Sequence, residues 1–310
     1  MTSYSAPAKV ILFGEHAAVY GKPAIAVPVS SLRAFADVHP EKHGKGLYIE
    51  ALDLAQVLPV TVNSDLMDNA LIYTAQQVLK KLMAHPPDAT IKLTSQIPMA
   101  SGLGSGAAVS TALARAVAGA VGKKLDDETL NQLIFNIEKF YHGTPSGIDN
   151  TVIVYERPVY FIKGMPLQPL SIGTPFTLVI GDTGEAGITR VAVGDVWALY
   201  DANPTKITPI LDEIGIISEQ AKIIIETGNP DDLAPLMTRN HELLRDLTVS
   251  ALSLEKLITV AMDAGALGAK LSGGGRGGNM IALVQPHQAQ HIQDALLRAG
   301  AKNAFITTVK

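Results

Sequence analysis

The stretch that decides the fold is Pro98-Met99-Ala100-Ser101-Gly102-Leu103-Gly104-Ser105-Gly106-Ala107-Ala108. It joins residues 90–97, whose apolar pattern predicts a strand, to residues 109–118, an alanine-rich segment that predicts a helix. A loop of Gly and Ser that opens a helix directs several unpaired backbone N–H groups, and the positive end of the helix dipole, at one point. Because glycine also lets an anion approach the backbone closely, the stretch predicts a phosphate-binding site.

Established nucleotide-binding motifs fit this loop only in part. The Walker loop requires Lys and then Ser or Thr after its last glycine, where this chain has Ala107-Ala108. Gly102-x-Gly104-x-x-Ala107 satisfies the dinucleotide fingerprint, but the acidic residues about 20 positions later, Asp126 and Asp127, follow no apolar strand. A protein-kinase loop would need Val-Ala-Ile-Lys and His-Arg-Asp further on, and the sequence contains neither. A tight strand-to-helix turn without a ligand remains the alternative.

Composition excludes several classes of protein. The 310 residues are enough for two domains, and 47% hydrophobic with 17% charged residues is typical of a folded globular chain. The net charge of -4 is unlike that of polyanion-binding proteins, so we expect no nucleic acid partner. The chain has no cysteine, which excludes disulfides, a cysteine nucleophile and cysteine-ligated zinc.

Targeting and membrane signals are absent from the sequence. Residues 1–7 contain no basic region that leads into an apolar run. No uninterrupted apolar span is long enough to cross a bilayer. Since the lack of cysteine also suits a reducing compartment, we expect a cytoplasmic protein with no membrane partner.

Apolar periodicity and turn residues predict most of the remaining elements. Helices are predicted at residues 65–83, 126–141 and 288–299, and helical patterns fill residues 188–264 with interruptions at Pro204, Pro209 and Gly228-Asn229-Pro230. A second glycine-rich loop, residues 270–279, leads into a strand, so its dinucleotide-like spacing is spurious and its glycines imply that another backbone or a ligand packs against it. Strands are predicted at residues 8–13, 24–29, 33–38, 46–50, 151–155, 176–180, 280–284 and 304–308.

Three charged residues occupy unusual local positions. Lys9 lies inside an apolar strand, where it either reaches solvent at an edge or is held against an anion. Glu138 lies near the end of a predicted helix, where the dipole favours cations, so either Lys139 or another group compensates its charge. Asp149 follows a turn rich in Pro and Gly, where it either caps the turn or is positioned for chemistry.

Four segments of the chain together resemble the signature segments of the galacto-, homoserine, mevalonate and phosphomevalonate (GHMP) kinases. They recur in the order of that superfamily, and the likeness extends from residue 5 to residue 278. Within the superfamily the first segment is most similar to the mevalonate kinases, since a galactokinase has Thr-Asp-Tyr after the His and a diphosphomevalonate decarboxylase has Lys-Tyr-Trp-Gly. The segments are Ser5-Ala6-Pro7-Ala8-Lys9-Val10-Ile11-Leu12-Phe13-Gly14-Glu15-His16-Ala17-Ala18-Val19-Tyr20-Gly21, the loop at residues 98–108, Gly143-Thr144-Pro145-Ser146-Gly147-Ile148-Asp149-Asn150, and residues 270–278.

The resemblance implies an α+β fold of two domains. Residues 1–172 would form an N-terminal domain like domain 2 of ribosomal protein S5, and residues 173–310 a ferredoxin-like C-terminal domain. The implied activity is Mg²⁺- and ATP-dependent phosphorylation of the 5-hydroxyl of (R)-mevalonate to 5-phosphomevalonate, a step of isoprenoid biosynthesis. The resemblance also implies a homodimer.

The same resemblance assigns roles to individual residues. Asp149 would accept or orient the proton of the substrate hydroxyl, with Lys9 keeping it ionised and stabilising the developing alkoxide. Glu138 and Ser105 would bind Mg²⁺, which prefers oxygen ligands. For His16, the alternative to substrate binding is a buried, hydrogen-bonded histidine. The loop at residues 273–278 would pack beside the phosphate loop. The expected substrate-binding residues are Lys9, Glu15, His16, Asp149, Gly274 and Arg276, and the expected ATP phosphate-binding residues are Ser101, Gly102, Leu103, Gly104, Ser105, Gly106 and Ala107.

The chain departs from the family pattern at three positions. Gly106 stands where the family usually has a second serine whose hydroxyl binds Mg²⁺, so either Ser105 and water take its place or Mg²⁺ binds more weakly. Arg276 interrupts a glycine run, and its guanidinium could reach a phosphate or the substrate carboxylate. Ala8 replaces a usual glycine.

Two other functions fit the same sequence. A homologue that has lost a metal-ligating serine could keep its nucleotide site as a binding or regulatory module without catalysis. A kinase of the same fold could instead act on phosphomevalonate or another small alcohol. The presence of Lys9, Glu138 and Asp149 favours an active enzyme over a binding module.

Overall fold

The chain is organised in two units, each built from segments that are separate in the sequence. The computed structural model describes residues 2–61, 69–99, 101–142, 146–187 and 189–310. The first unit comprises Met1–Ala8, Leu32–Pro98 and Gly104–Glu156, and the second comprises Lys9–Ser31, Met99–Leu103 and Arg157–Lys310. The single domain boundary expected after residue 172 stays a prediction.

The first unit combines a sheet with helices. Its strands are β1 (Thr2–Phe13), β2 (Ala24–Pro40), β3 (Leu47–Ala51), β4 (Gln56–Val60) and β5 (Ala89–Ser95), and its helices are α1 (Ala70–Leu82), α2 (Ser105–Ala120), α3 (Asp127–His142) and α4 (Ile148–Tyr155). Strands β1 and β2 each begin in one unit and continue in the other, whereas β3 to β5 and α1 to α4 lie wholly in the first unit.

The sheet of the first unit has the strand order β4-β3-β5-β2. β3 and β5 are parallel, with Ile49 opposite Ile91, whereas β2 is antiparallel to β5 and β4 is antiparallel to β3. Alternate residues of β3 and β5 are buried, as a sheet with one covered face requires. Helix α2 packs against β5 and against α1, α3 and α4, because its alanines let neighbouring backbones approach closely.

The second unit is built on an antiparallel sheet covered by helices. Its strands are β6 (Val159–Phe161), β7 (Gln168–Pro169), β8 (Phe176–Asp182), β9 (Gly268–Ser272), β10 (Asn279–Val284) and β11 (Asn303–Val309), and its helices are α5 (Thr189–Ala202), α6 (Pro204–Thr227), α7 (Leu233–Asp246), α8 (Leu252–Asp263) and α9 (Ala289–Arg298). The antiparallel sheet has the order β11-β8-β10-β9. Helices α7 and α8 pack on β9, and α9 packs on β8 and β11. None of the helices in the described ranges combines the length and apolarity needed to span a membrane.

Several predicted strands and turns need correction. The predicted strands at residues 24–29 and 33–38 are one strand, β2, because nothing between them turns the chain. β4 was not predicted, since Pro59 weakens a strand pattern and is tolerated here at the sheet edge. Residues 270–272 belong to β9 and not to the loop. Pro209 does not interrupt α6, which continues through it. Residues 65–68 of the helix predicted at residues 65–83 lie outside the described residues.

Residues 151–155 form part of helix α4, so the predicted strand there is wrong. The β-branched residues Thr151, Val152 and Ile153 suggested a strand. All three are buried within α4, so the helix lacks the amphipathic period by which a helix is normally recognised. The Thr151 hydroxyl donates a 2.7 Å hydrogen bond to the Gly147 carbonyl one turn earlier, which is a helical contact.

Gly268→Ala is expected to lower the free energy of unfolding by roughly 1–3 kcal/mol, because overpacking forces a buried backbone to shift. A methyl group at position 268 would lie 2.6 Å from the Ala234 carbonyl oxygen of α7. Gly194→Ala is the matched control, since nothing lies within 4 Å of its added methyl group on α5. The control should gain up to about 1 kcal/mol from helix propensity. Urea unfolding measures both changes, and a Gly268→Ala protein as stable as wild type would contradict the packing described.

Candidate active site

The glycine loop has the predicted strand-loop-helix arrangement. It follows β5, and α2 begins at Ser105 directly after Gly104. Gly102 and Gly104 have left-handed backbones, with φ of 80° and 76°, which few other residues adopt. Ser105, Gly106 and Ala107 therefore form the first turn of a helix, where N–H groups have no intrahelical acceptor. This arrangement can bind an anion at the start of α2.

Residues 101–103 of the loop belong to the second unit and are held from two sides there. The Lys9 backbone N–H donates to the Leu103 carbonyl at 3.0 Å. The Asn279 amide donates to the Ser101 carbonyl, and Asn279 is almost fully buried at the start of β10. Sequence reasoning gave Asn279 no role, although a polar residue directly after the second glycine run was the available signal.

Lys9 is buried and not exposed at a sheet edge. Its residue exposure is 6%, although it lies in the strand β1 that opens the chain. Solvation at an edge is therefore excluded as the reason for a cation at this position. The expected catalytic role of Lys9 stays a prediction.

Glu138 lies beside the first turn of α2, within the first unit. A methyl group on Gly106 would be 3.6 Å from the Glu138 Oε1 atom. The positive end of the α2 dipole therefore compensates a carboxylate that is poorly placed at the end of its own helix, α3. Glu138 and Ser105 offer a carboxylate and a hydroxyl oxygen, the donor chemistry that Mg²⁺ prefers. In the described ranges no group of three or more His, Cys, Asp or Glu side chains is placed to hold a metal ion.

Asp149 lies in the first turn of α4 and is half-buried. Its neighbour Asn150 is buried and donates to the Asn131 side-chain oxygen at 2.5 Å, which ties α4 to α3. Gly147 precedes the helix with φ of 88°. These contacts fix the start of α4, where Asp149 lies. Residues 143–145 of the same motif lie outside the described residues.

His16 is a buried, hydrogen-bonded histidine, which is the alternative considered for it. Its Nε2 atom lies 3.0 Å from the Gly274 carbonyl oxygen, so this nitrogen carries the proton. Burial lowers the pKa of His16 to about 4, with Arg276 contributing and the bond to Gly274 opposing. The ring is therefore neutral at pH 7. The expected contact between His16 and the substrate stays a prediction.

Glu15 and Arg276 each have a partner within the second unit. The Glu15 carboxylate pairs with Lys270 in a fully buried contact. The Arg276 guanidinium pairs with Asp195 of α5, and its backbone N–H donates to the Val249 carbonyl at 2.7 Å. Neither Asp195 nor Lys270 was given a role from the sequence. The expected substrate contacts of Glu15, Gly274 and Arg276 stay predictions.

His16 makes a specific contribution to pH-dependent stability. Its pKa is lowered to about 4 in the folded chain, from 6.5 in an unfolded one. The unfolded state therefore takes up a proton first, and stability present above pH 6.5 is lost as the pH falls toward 4. The loss attributable to His16 should total about 3 kcal/mol.

Urea unfolding of wild type and His16→Gln between pH 7 and pH 4 measures this contribution. The variant should lose less stability on acidification than wild type does, because it has no imidazole to protonate. His287→Gln provides the control, since its imidazole was given no role in the site. Equal pH dependence in wild type and His16→Gln would contradict a buried neutral His16.

Family models match both halves of the chain. The GHMP kinases N terminal domain matches residues 69–157. The GHMP kinases C terminal domain matches residues 221–302. Together the two matches cover more than half of the sequence in the order of that family.

Curated relatives align along almost the whole chain. The mevalonate kinase of Thermococcus onnurineus is 38% identical, and the alignment covers 96% of this chain and 92% of the relative. The mevalonate kinase of Pyrococcus furiosus is 37% identical with the same coverage.

Solved structures of mevalonate kinases have the same fold. The L. major enzyme in complex with R-mevalonate matches with a TM-score of 0.85 and 29% identity, covering 100% of this chain and 96% of that one. The Methanococcus jannaschii enzyme matches with a TM-score of 0.84 and 26% identity, covering 99% and 97%. The expected α+β, two-domain kinase fold is thereby confirmed. The chain therefore belongs to the GHMP kinase family.

Proposed function

We propose that this chain is an ATP-dependent mevalonate kinase that phosphorylates the 5-hydroxyl of (R)-mevalonate and releases 5-phosphomevalonate and ADP. The observation that carries this proposal is identity of 36–38% to curated mevalonate kinases across 96% of the chain. The glycine loop and the first turn of α2 support it physically, because they can bind phosphate groups.

Phosphoryl transfer requires mainly positioning and charge stabilisation from the protein. The backbone N–H groups of residues 102–107 bind the ATP phosphates. Glu138 and Ser105 would hold Mg²⁺, which would neutralise phosphate charge. A carboxylate beside a phosphate site is repulsive by itself, so the position of Glu138 supports a cation-binding role for this residue.

Two further residues act on the acceptor hydroxyl. Asp149 accepts its proton, since a half-buried carboxylate in the first turn of α4 can serve as a general base. The Lys9 ammonium stabilises the alkoxide that develops on the same oxygen. Lys9 is buried, which strengthens its electrostatic effect on a nearby anion.

The proposal includes the cellular setting of the enzyme. We infer a cytoplasmic homodimer whose partners are mevalonate and ATP, with neither nucleic acid nor a membrane among them. The net charge of -4 supports the lack of a polyanion partner. The dimer rests on the family resemblance alone.

A substrate panel tests the proposed function. Purified protein is incubated with ATP, Mg²⁺ and either (R)-mevalonate, phosphomevalonate, homoserine or galactose, and ADP release is followed together with the mass of the product. Mevalonate should give stoichiometric ADP and a product heavier by one phosphoryl group. Turnover of another acceptor in preference would identify a kinase of different specificity, and no ADP above background with any acceptor would identify a binding module.

Asp149→Asn should lower kcat by roughly 10²–10⁴-fold, the range lost with a general base, while ATP affinity stays within about twofold of wild type. Asp263→Asn is a suitable control, because it makes the same chemical change at an exposed position at the end of α8. Steady-state kinetics and ATP titration give both quantities. Near-normal turnover in Asp149→Asn would remove this carboxylate from the mechanism.

Gly106→Ser should lower the Mg²⁺ concentration needed for half-maximal activity by roughly three- to tenfold, the gain expected from one added polar interaction. The new side chain fits, since its Cβ would lie 3.6 Å from Glu138 Oε1, an ordinary contact. Gly106→Ala is the control, because it adds the carbon without the hydroxyl. If Gly106→Ser needed the same Mg²⁺ concentration as wild type, or if Gly106→Ala changed that concentration equally, Gly106 would not weaken metal binding.

A further inference from the structure

A buried ion pair in the second unit is not explained by the proposed chemistry. It joins Lys270, in the middle of β9, to Glu15, which follows the end of β1. The exposed fractions of the two side chains are 0% and 1%. Removing two charges from water is costly, so such a pair persists only where its geometry and hydrogen bonds compensate.

The hydrogen bonds of Lys270 join it to Glu15 and to its own strand. Lys270 Nζ donates to Glu15 Oε1 and also, at 2.7 Å, to the Leu271 carbonyl. The second carboxylate oxygen, Glu15 Oε2, is buried with no hydrogen-bond partner among the described residues. Burial raises the pKa of Glu15 and lowers that of Lys270, and their mutual attraction opposes both shifts. Glu15 is therefore bound to β9 through Lys270.

Two neutral contacts flank the ion pair on the same segments. The Ser272 hydroxyl donates to the Ile11 carbonyl at 2.8 Å. His16 bonds to the Gly274 carbonyl, as described above. Residues 270–274 thus run beside residues 11–16, and the ion pair is the charged and most deeply buried of these contacts.

Among the described residues, the side of β9 next to α7 supplies no second carboxylate that pairs with Lys270. His241 of α7 accepts a 3.4 Å hydrogen bond from the Leu271 backbone N–H through Nδ1. Its Nε2 lies 3.1 Å from Glu255, whose carboxylate also accepts from the Ser250 hydroxyl. Burial lowers the pKa of His241, and Lys270 adds to that effect. In the described part of the chain, Glu15 is the carboxylate that pairs with Lys270.

We propose that Glu15 and Lys270 are positioning residues whose ion pair sets the loop at residues 273–278 against the turn at residues 14–16, without contacting substrate. The inference rests on the proposed function for its kinetic consequence. Gly274, Arg276 and His16 are expected substrate-binding residues on these two segments, and small displacements of binding groups are costly. Glu15 then acts through Lys270, and not as the direct substrate ligand that the family resemblance suggests.

A double-mutant cycle separates the two roles of Glu15. The variants are Glu15→Gln, Lys270→Met and the double variant, with KM for mevalonate and kcat measured for each. Each single change should raise KM by roughly ten- to hundredfold, with a smaller effect on kcat. The double variant should have a KM within about threefold of the single variants, because the same contact is lost in all three.

Three outcomes would overturn the proposal. A KM in the double variant equal to the product of the two single effects would mean that Glu15 acts independently of Lys270, as a substrate ligand does. A KM restored to the wild-type value in the double variant would reduce the pair to a structural role. Wild-type KM in every variant would show that the pair has no influence on binding.

Leu296→Ala provides the matched control for general destabilisation. Leu296 is fully buried in α9, and its side chain faces Gly181 of β8. The substitution therefore loosens the same sheet at β8, whereas the ion pair lies at β9. Its KM should equal that of wild type. If Glu15→Gln or Lys270→Met does not fold, the double variant, which lacks both charges of the pair, is measured instead. Its KM for mevalonate should be raised, and its amide exchange at residues 273–278 should be faster than in wild type.

Amide hydrogen exchange keeps this test independent of the proposed activity. Glu15→Gln and Lys270→Met should each increase exchange at residues 273–278 at least tenfold, and Leu296→Ala should not. Inactivity of the wild-type protein toward mevalonate would reject the proposed function and leave this exchange test valid. Unchanged exchange at residues 273–278 in both ionic variants would reject the positioning role.

Discussion

The N-terminus of α2 is the feature on which the rest of the site depends. The core of the first unit buries most of this helix, so its direction, and the direction of its dipole, are set by packing. Gly102 and Gly104 let the chain turn into the helix with a left-handed backbone. Glu138 lies beside the first helical turn. The helix dipole compensates its negative charge there, but a phosphate bound at the same place would repel Glu138 unless a cation were bound as well. The proposed phosphate site and the proposed metal ligand Glu138 thus both lie at one helix end.

In the second unit, polar side chains hold separate segments of the chain together. Glu15 with Lys270 and Arg276 with Asp195 are ion pairs between segments distant in sequence, and Asn279 holds the carbonyl of Ser101. A glycine-rich loop has little packing of its own to fix its conformation, because it lacks side chains. Charged and amide groups on neighbouring segments perform that task here. Several conspicuous polar residues of the motifs therefore hold loops and strands in place.

The sequence predicted the elements around the phosphate loop well, because strong local signals and the tertiary structure agree there. It failed where the environment overrides local preference. Residues 151–155 have strand-forming side chains but form a helix that is buried on most sides, and residues 24–40 are continuous because no turn residue intervenes. The contacts of Asn279 and Lys270 could not be predicted, because each joins segments that are distant in sequence.

The most direct test of the account is amide hydrogen exchange of the wild-type protein with and without a non-hydrolysable ATP analogue and Mg²⁺. The N–H groups at the start of α2 have no intrahelical acceptors and should be the ones that a bound phosphate protects. The account predicts strong protection at residues 102–107 on addition of the analogue. Binding of the analogue with unchanged exchange at these residues, and protection elsewhere, would contradict it.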